Sequence, residues 1–382
     1  MDFIPVNEPR LDGNEERYLV ECIRTGWISS EGPFVARLEE GLAKRLGRRH
    51  AIAVCNGSAA LDAAVAALRL GPGDEVILPA HTIISCAAAV VRAGATPVLA
   101  DCDPLTWNVT VEGVAACITP RTKAIMAVHI FGLPAPMNGL LALAEKHGLA
   151  VIEDAAEAIG QTCAGPVCQG KPCGGLGTIS CLSFYPNKHV TTGEGGMLLT
   201  DDDELAARCR SLRNLCFQKR RFVHEELGWN FRMSNLQAAV GVAQLERLDE
   251  FIARKREIGA LYRRLLAGTP GIQLPLAETA DAQNIYWVFG VVLTDEIPFD
   301  ADEAMSRLGK AGVGTRPFFW PLHQQPVLRD MGLFEHDSHP VAERIARRGL
   351  YLPSGLATTN AQIEASAARL TALLEAALTE TA

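Results

Sequence analysis

The sequence predicts an α/β protein, with a mostly parallel central sheet followed by a smaller C-terminal α+β domain. Three observations carry that prediction. Between residues 50 and 200, short runs rich in β-branched residues alternate with helical stretches. Those runs are continuously apolar rather than alternating, the pattern of strands covered on both faces. Beyond about residue 235 the alternation gives way to a long helix, an isolated apolar run and a proline-rich segment.

The first strand is Ala51-Ile52-Ala53-Val54, and Asn56-Gly57-Ser58 leads into a helix over 59–70. Leu61, Val65 and Leu68 share one face of that helix, and Gly71-Pro72-Gly73 stops it. Further strands fall at 75–79, 97–100, 123–128, 149–152, 179–185 and 196–200. Leu236, Val240, Ala243, Leu248 and Phe251 predict one long amphipathic helix. An apolar run at 287–293, a helix at 301–311, a proline-rich stretch at 316–326 and a closing helix at 360–382 complete the chain. The expected division is 1–250 for the large domain, N-terminal arm included, and 251–382 for the small one.

The 382 residues are 48% hydrophobic and 21% charged, which is ample for a large core. A net charge of −8 argues against nucleic-acid binding. The densest basic spots, Arg48-Arg49 and Arg220-Arg221, read as solvated surface. No apolar run reaches the ~20 residues of a membrane helix. Met1-Asp2-Phe3-Ile4-Pro5 lacks the cationic-then-apolar build of a secretory signal. The 11 cysteines are an odd number, and in a long chain without such a signal they predict reduced thiols in the cytoplasm. The tightest group, Cys163, Cys168, Cys173 and Cys181, has gaps of four, four and seven residues, wider and less even than paired zinc ligands. They read as small buried hydrophobes, and no metal is expected.

The most informative stretch is Ser183-Phe184-Tyr185-Pro186-Asn187-Lys188-His189, which runs into the glycine-rich Thr191-Thr192-Gly193-Glu194-Gly195-Gly196. A lysine that loses solvent has a lowered pKa, and its neutral amine can form a Schiff base with an aldehyde. Taken alone, Lys188 reads first as an ordinary loop lysine, and its context decides. Asp154 ends an apolar run, so it falls at the carboxyl end of a buried strand, where open α/β sheets bind ligands. A carboxylate there suits the ring nitrogen of pyridoxal phosphate, which must stay protonated for the ring to accept electrons. The alternative is a helix N-cap, with Glu157 either near the cofactor ring or completing a capping box. Asn56-Gly57-Ser58 can meet a phosphate at a helix N-terminus, or can be a plain capping turn. Ser183 adds a second hydroxyl. Neither a dinucleotide fingerprint nor a Walker loop competes.

These segments resemble the DegT/DnrJ/EryC1/StrS family of sugar-nucleotide aminotransferases. The resemblance rests on Asn56-Gly57-Ser58, residues 153–157, 183–188 and 192–197, Gly228-Trp229-Asn230-Phe231-Arg232-Met233, and residues 316–323. It implies the aspartate-aminotransferase-like fold type I of pyridoxal 5'-phosphate enzymes. By the same resemblance Lys188 is the Schiff-base lysine and proton shuttle, Asp154 pairs with the ring nitrogen, and Glu157 sits near the phenolic oxygen. Gly57, Ser58 and Ser183 hold the phosphate, joined by Asn230 from the other subunit of a homodimer with shared active sites. Arg316 and His323 fall in a segment that helps bind the sugar nucleotide; their alternatives are a surface arginine and a packed histidine. Residues 9–15, 27–30, 118–126 and 191–197 are most similar to members that aminate GDP-4-keto-6-deoxy-mannose with L-glutamate. Relatives using dTDP- or UDP-linked keto sugars are the alternative.

One departure stands out. Many relatives stack an aromatic ring on the cofactor from the segment that reads Pro79-Ala80-His81-Thr82-Ile83 here. Either Ile83 covers the ring as an aliphatic lid, the preferred reading, or His81 takes part. Sugar dehydratases of the same fold carry histidine in place of the lysine, and the register of residues 183–187 puts Lys188 there instead. A silent regulatory homologue would be expected to lack Lys188 or Asp154.

Overall fold

The computed structural model describes residues 3–220 and 222–381. Met1-Asp2, Arg221 of the second basic spot and Ala382 of the closing helix lie outside the described residues.

Two helices come first, α1 (Glu15–Thr25) and α2 (Pro33–Leu46). Then β1 (His50–Val54), β2 (Glu75–Pro79), β3 (Thr96–Ala100), β4 (Thr122–Val128) and β5 (Ala150–Asp154) alternate with α3 (Gly57–Ala67), α4 (Ile84–Arg92), α5 (Val111–Ala116) and α6 (Met137–His147). A short hairpin, β6 (Thr162–Cys163) and β7 (Lys171–Pro172), precedes β8 (Ile179–Ser183), β9 (Gly196–Thr200) and α7 (Asp203–Arg213). The sheet order is β1-β9-β8-β5-β4-β2-β3. β9 alone runs against its neighbours, so the sheet is mostly parallel, as predicted. Parallel neighbours need crossovers, which the helices supply on both faces. Ile52, Val54, Leu78, Met126 and Ile152 pack toward α3, α4 and α7. Ala53 and Leu182 pack toward α2 and α8 (Asn235–Leu245), and Ile125 and Val151 toward α6, all on the opposite face.

The single long helix expected beyond residue 235 is two: α8 and α9 (Leu248–Leu265). Ser234 and Gln237 close a capping box at the start of α8. The break falls at Glu246 and Arg247. Glu246 accepts from the Tyr18 hydroxyl at 2.6 Å and the Asn14 amide at 2.7 Å, while Arg247 pairs with Asp12 and Glu250.

A second, antiparallel sheet follows, β10 (Ile272–Gln273), β11 (Phe289–Leu293), β12 (Arg316–Pro317) and β13 (Gly349–Leu352), in the order β10-β11-β13-β12. Its core is shared with α9, α10 (Ala301–Lys310) and the closing helix. The N-terminal arm joins this part: the Gly314 amide donates to Ile4 and the Ser354 amide to Val6.

Arg48 is not solvated surface. Its side chain is 6% exposed and bonds Asp201, the Gly177 carbonyl and the Ser180 hydroxyl, whereas Arg49 lies in the open against Asp203. All the cysteines are free thiols, and Cys163, Cys168, Cys173 and Cys181 are buried. His129, Glu153 and Cys173 gather within 4.8 Å of one another. Their polar atoms are engaged there: His129 takes the Ala135 amide and meets Glu153 at 3.0 Å, and Glu153 also accepts from Gly174, Leu176, Gly177 and Ser180. Among the described residues no helix is long and apolar enough to cross a membrane.

Candidate active site

The carboxyl ends of β5 and β8 and the amino end of α3 open onto a cavity of about 490 Å³. That is the edge at which open α/β sheets bind ligands, and the volume lies in the usual range for a small-molecule site. After β8 the chain turns out and returns as β9. The Phe184 amide donates to Gly195 at 2.8 Å and the Thr192 amide to Phe184 at 2.9 Å, closing the turn that carries Lys188.

The Lys188 side chain is 11% exposed, and its amine lies 3.5 Å from a Glu157 carboxylate oxygen. Burial lowers its pKa, opposed by the negative charges of Glu157 and Asp154. A deprotonated amine is what attack on an aldehyde requires. Asp154 sits at the last position of β5, accepting from the Ala156 amide at 3.0 Å and the Cys86 thiol at 3.4 Å. Burial raises its carboxyl, against the Ala156 amide, Lys188 and Cys86. Residues 155–161 are turns, so the helix that an N-cap role requires does not form. Glu157 accepts from the Phe131 amide at 2.9 Å and so closes no capping box. Burial pushes its carboxyl up to about 7, although Lys188 and the Phe131 amide favour the charged form.

The third corner is built for an anion. Asn56 caps α3 by accepting from the Ala59 amide, and the helix offers no carbonyl to the first-turn amides of Gly57 and Ser58. A Cβ on Gly57 would lie 2.7 Å from Ser183 Cβ, so only glycine lets α3 approach β8 this closely. Ser58 and Ser85 hydroxyls meet at 2.8 Å, and both line the cavity with Ser183. Amine, buried carboxylate and hydroxyl-lined helix terminus thus face one space. Together they fit pyridoxal 5'-phosphate.

Ile83 lines that cavity and is 42% exposed. His81 does not line it. Its ring is fully buried among Phe131, Phe318 and Phe319, with centroids 5.7–5.8 Å away, and burial pulls its pKa down to about 3. Three residues singled out in the sequence stand apart from the cavity within this chain. Asn230 is exposed on the segment leading to α8, and Arg316 is exposed opposite Tyr351, a cavity-lining residue. His323 is 1% exposed and bonded to Glu343 at 3.0 Å, the arrangement of a packed histidine.

The opposite wall was not anticipated. Trp287, Phe319 and Tyr351 line it, and the Lys188 amine lies 3.8 Å from the centre of the Trp287 ring. Ser85 had a local signal, a hydroxyl in the first turn of α4. Trp287 had none, being carried in by a segment distant in sequence.

Comparison with known proteins agrees with this geometry. The family model for the DegT/DnrJ/EryC1/StrS aminotransferases matches residues 9–371. The chain is 42% identical to a GDP-perosamine synthase of Caulobacter vibrioides, over 97% of this chain and 98% of that one. It is 40% identical to a GDP-perosamine synthase of Vibrio cholerae, over 92% and 94%. The crystal structure of S. venezuelae DesV in complex with a ketimine intermediate superposes with a TM-score of 0.89, at 33% identity over 98% of this chain and 99% of that one. The chain belongs to the DegT/DnrJ/EryC1/StrS aminotransferase family, and is a pyridoxal-phosphate-dependent enzyme of fold type I.

Proposed function

We propose that this enzyme moves the amino group of L-glutamate to C4 of GDP-4-keto-6-deoxy-mannose, giving GDP-perosamine and 2-oxoglutarate, for polysaccharide biosynthesis. The observation that carries the choice of substrate is the nearly end-to-end similarity to two GDP-perosamine synthases. Bound in the cavity, pyridoxal phosphate supplies an aldehyde that takes up an amine and a ring that accepts electrons.

The chain's own residues do the rest. Lys188 would hold the aldehyde through its amine and would carry a proton to and from the reacting carbon. Asp154 would pair with the ring nitrogen and keep it protonated. Glu157, with its carboxyl raised to about 7, can donate or accept a hydrogen bond at the phenolic oxygen. Gly57, Ser58 and Ser183, which line the cavity, would hold the phosphate, and Ile83, on the same lining, would cover the ring.

Our reading includes a homodimer in which Asn230 completes the phosphate site of the partner. Asn230 lies outside its own cavity, and its neighbourhood exposes Val223, Leu227 and Trp229, with Leu227 at 90%. Mixing Lys188→Ala with Asn230→Ala subunits should regenerate some whole sites, and failure of both exchange and complementation would remove support for sharing. The free thiols fit a reducing cytoplasm. The substrate is tested by offering GDP-, dTDP- and UDP-linked 4-keto-6-deoxy sugars with glutamate and weighing the products. Amination of the GDP sugar is expected, and preference for another nucleotide would redirect the assignment.

A further inference from the structure

Among the fully buried side chains is a lysine that the proposed chemistry does not use. Lys255, on α9, is 1% exposed, and its amine donates to the Trp287 carbonyl at 2.8 Å and the Ser354 carbonyl at 2.6 Å. Burial pulls its pKa down to about 7, and the amine can donate to both carbonyls in either protonation state. The neighbouring His189 is buried and held neutral by desolvation and by the Lys255 charge.

Trp287 belongs to a strap, residues 284–288, that crosses the second wall of the cavity without regular secondary structure. The strap has a tight fit on both sides. On one side the Trp287 amide donates to Phe131 at 3.1 Å, and a Cβ on Gly132 would meet the Trp287 nitrogen at 2.6 Å. On the other lies α9. A Cβ on Gly259 would come within 2.2 Å of the Tyr286 ring, and Lys255, one turn earlier, takes the Trp287 carbonyl. Tyr286 has φ +49°, a left-handed conformation that a non-glycine residue keeps only where its surroundings hold it. From this strap the Trp287 indole donates to the Asn187 carbonyl at 2.8 Å and presents its face to the Lys188 amine at 3.8 Å.

We propose that Lys255 is a positioning residue: by fixing the strap through the Trp287 carbonyl, it sets the indole face against the nitrogen of Lys188. This rests on Lys188 being the cofactor lysine. The other titratable groups acting on that nitrogen are Glu157, Asp154 and Cys86, together with the buried, neutral His189. An aromatic face favours the charged form of a nearby nitrogen. Displacing it therefore lowers the pH at which that nitrogen loses its proton.

The test is the pH midpoint of the cofactor's visible absorption in the loaded, full-length enzyme, which reports protonation of the nitrogen linking Lys188 to the cofactor. Lys255→Met keeps the length and removes the donor. It should lower the midpoint by about 0.4 to 1.5 pH units, the range expected for loss of a cation–π contact. Trp287→Leu should shift it likewise, and the double variant should shift it no further than Trp287→Leu alone. If Lys255→Met only lowers the melting temperature and leaves the midpoint in place, or if the two shifts add, the proposal is overturned. Should Lys255→Met not fold, Lys255→Gln carries the same test, since the shorter amide cannot hold both carbonyls. The Lys188→Ala enzyme separates the two readings. If the pH-dependent band persists there, the role of Lys188 fails; if the band disappears there but ignores Lys255, only the positioning role fails.

Discussion

The two walls of the cavity are built in opposite ways. The first is made of strand ends and a helix start: Asp154 closes β5, Ser183 closes β8, and Gly57 and Ser58 open α3. Each position follows from a buried parallel sheet, whose carboxyl edge presents whatever side chains come next. The second wall is Trp287, Phe319 and Tyr351, delivered by a strap and by segments around the small antiparallel sheet. In our proposal the first wall carries the groups that react, and the second places them. A change on the first should therefore act on chemistry, and one on the second on affinity, protonation or stability.

Lys188→Ala should break the first wall most completely. Amino transfer should disappear while the far-ultraviolet circular dichroism stays native, and substantial turnover would contradict the assigned role. Asp154→Asn should come next, with kcat down by roughly 10²–10³-fold, the scale for losing one preorganised charge partner. A loss in KM alone would move Asp154 off the ring nitrogen.

Changes near the second wall should be smaller and of a different kind. Arg316→Ala should raise KM for the sugar nucleotide by roughly tenfold, the cost of one charge-assisted bond, with little change in kcat. His323→Ala should instead cost about 1–3 kcal/mol of stability, because a buried ring and its bond to Glu343 are lost together. A substrate KM that follows His323 would return it to the binding segment.

A further effect is in pH. Burial raises the Glu157 carboxyl from its ordinary 4.5 to about 7, so the folded chain favours the neutral acid. The associated stability is complete below 4.5 and is lost as pH rises through about 7. The melting temperature of the cofactor-free chain should fall relative to Glu157→Gln between about pH 5 and about pH 8. A flat difference would show that Glu157 ionises normally.

The same contrast explains what the sequence revealed. The parallel strands were legible because continuous apolar runs record burial on two faces, and the residues after them were legible because strand ends are predictable places. The break between α8 and α9 was not. Leu236 through Phe251 keep helical spacing, and Glu246 and Arg247 are good helix formers; the break lies where Tyr18, Asn14 and Asp12 reach them from far upstream. Arg48 looked solvated because its acceptors, Gly177, Ser180 and Asp201, lie more than a hundred residues away. His323 was open between a binding residue and a packed histidine, because its partner Glu343 lies twenty residues further along the chain. Trp287 is the sharpest case. No local pattern links it to Lys188, and only the strap, held between Phe131 and α9, brings the ring to the amine.

The central claim is that Lys188 bears the cofactor at the meeting of these two walls. It is tested most directly by reducing the yellow holoenzyme with borohydride and locating the modified lysine by peptide mass spectrometry. The account predicts one cofactor fixed per chain, on Lys188. Fixation on any other lysine, or a protein that cannot be loaded with pyridoxal phosphate at all, would contradict it.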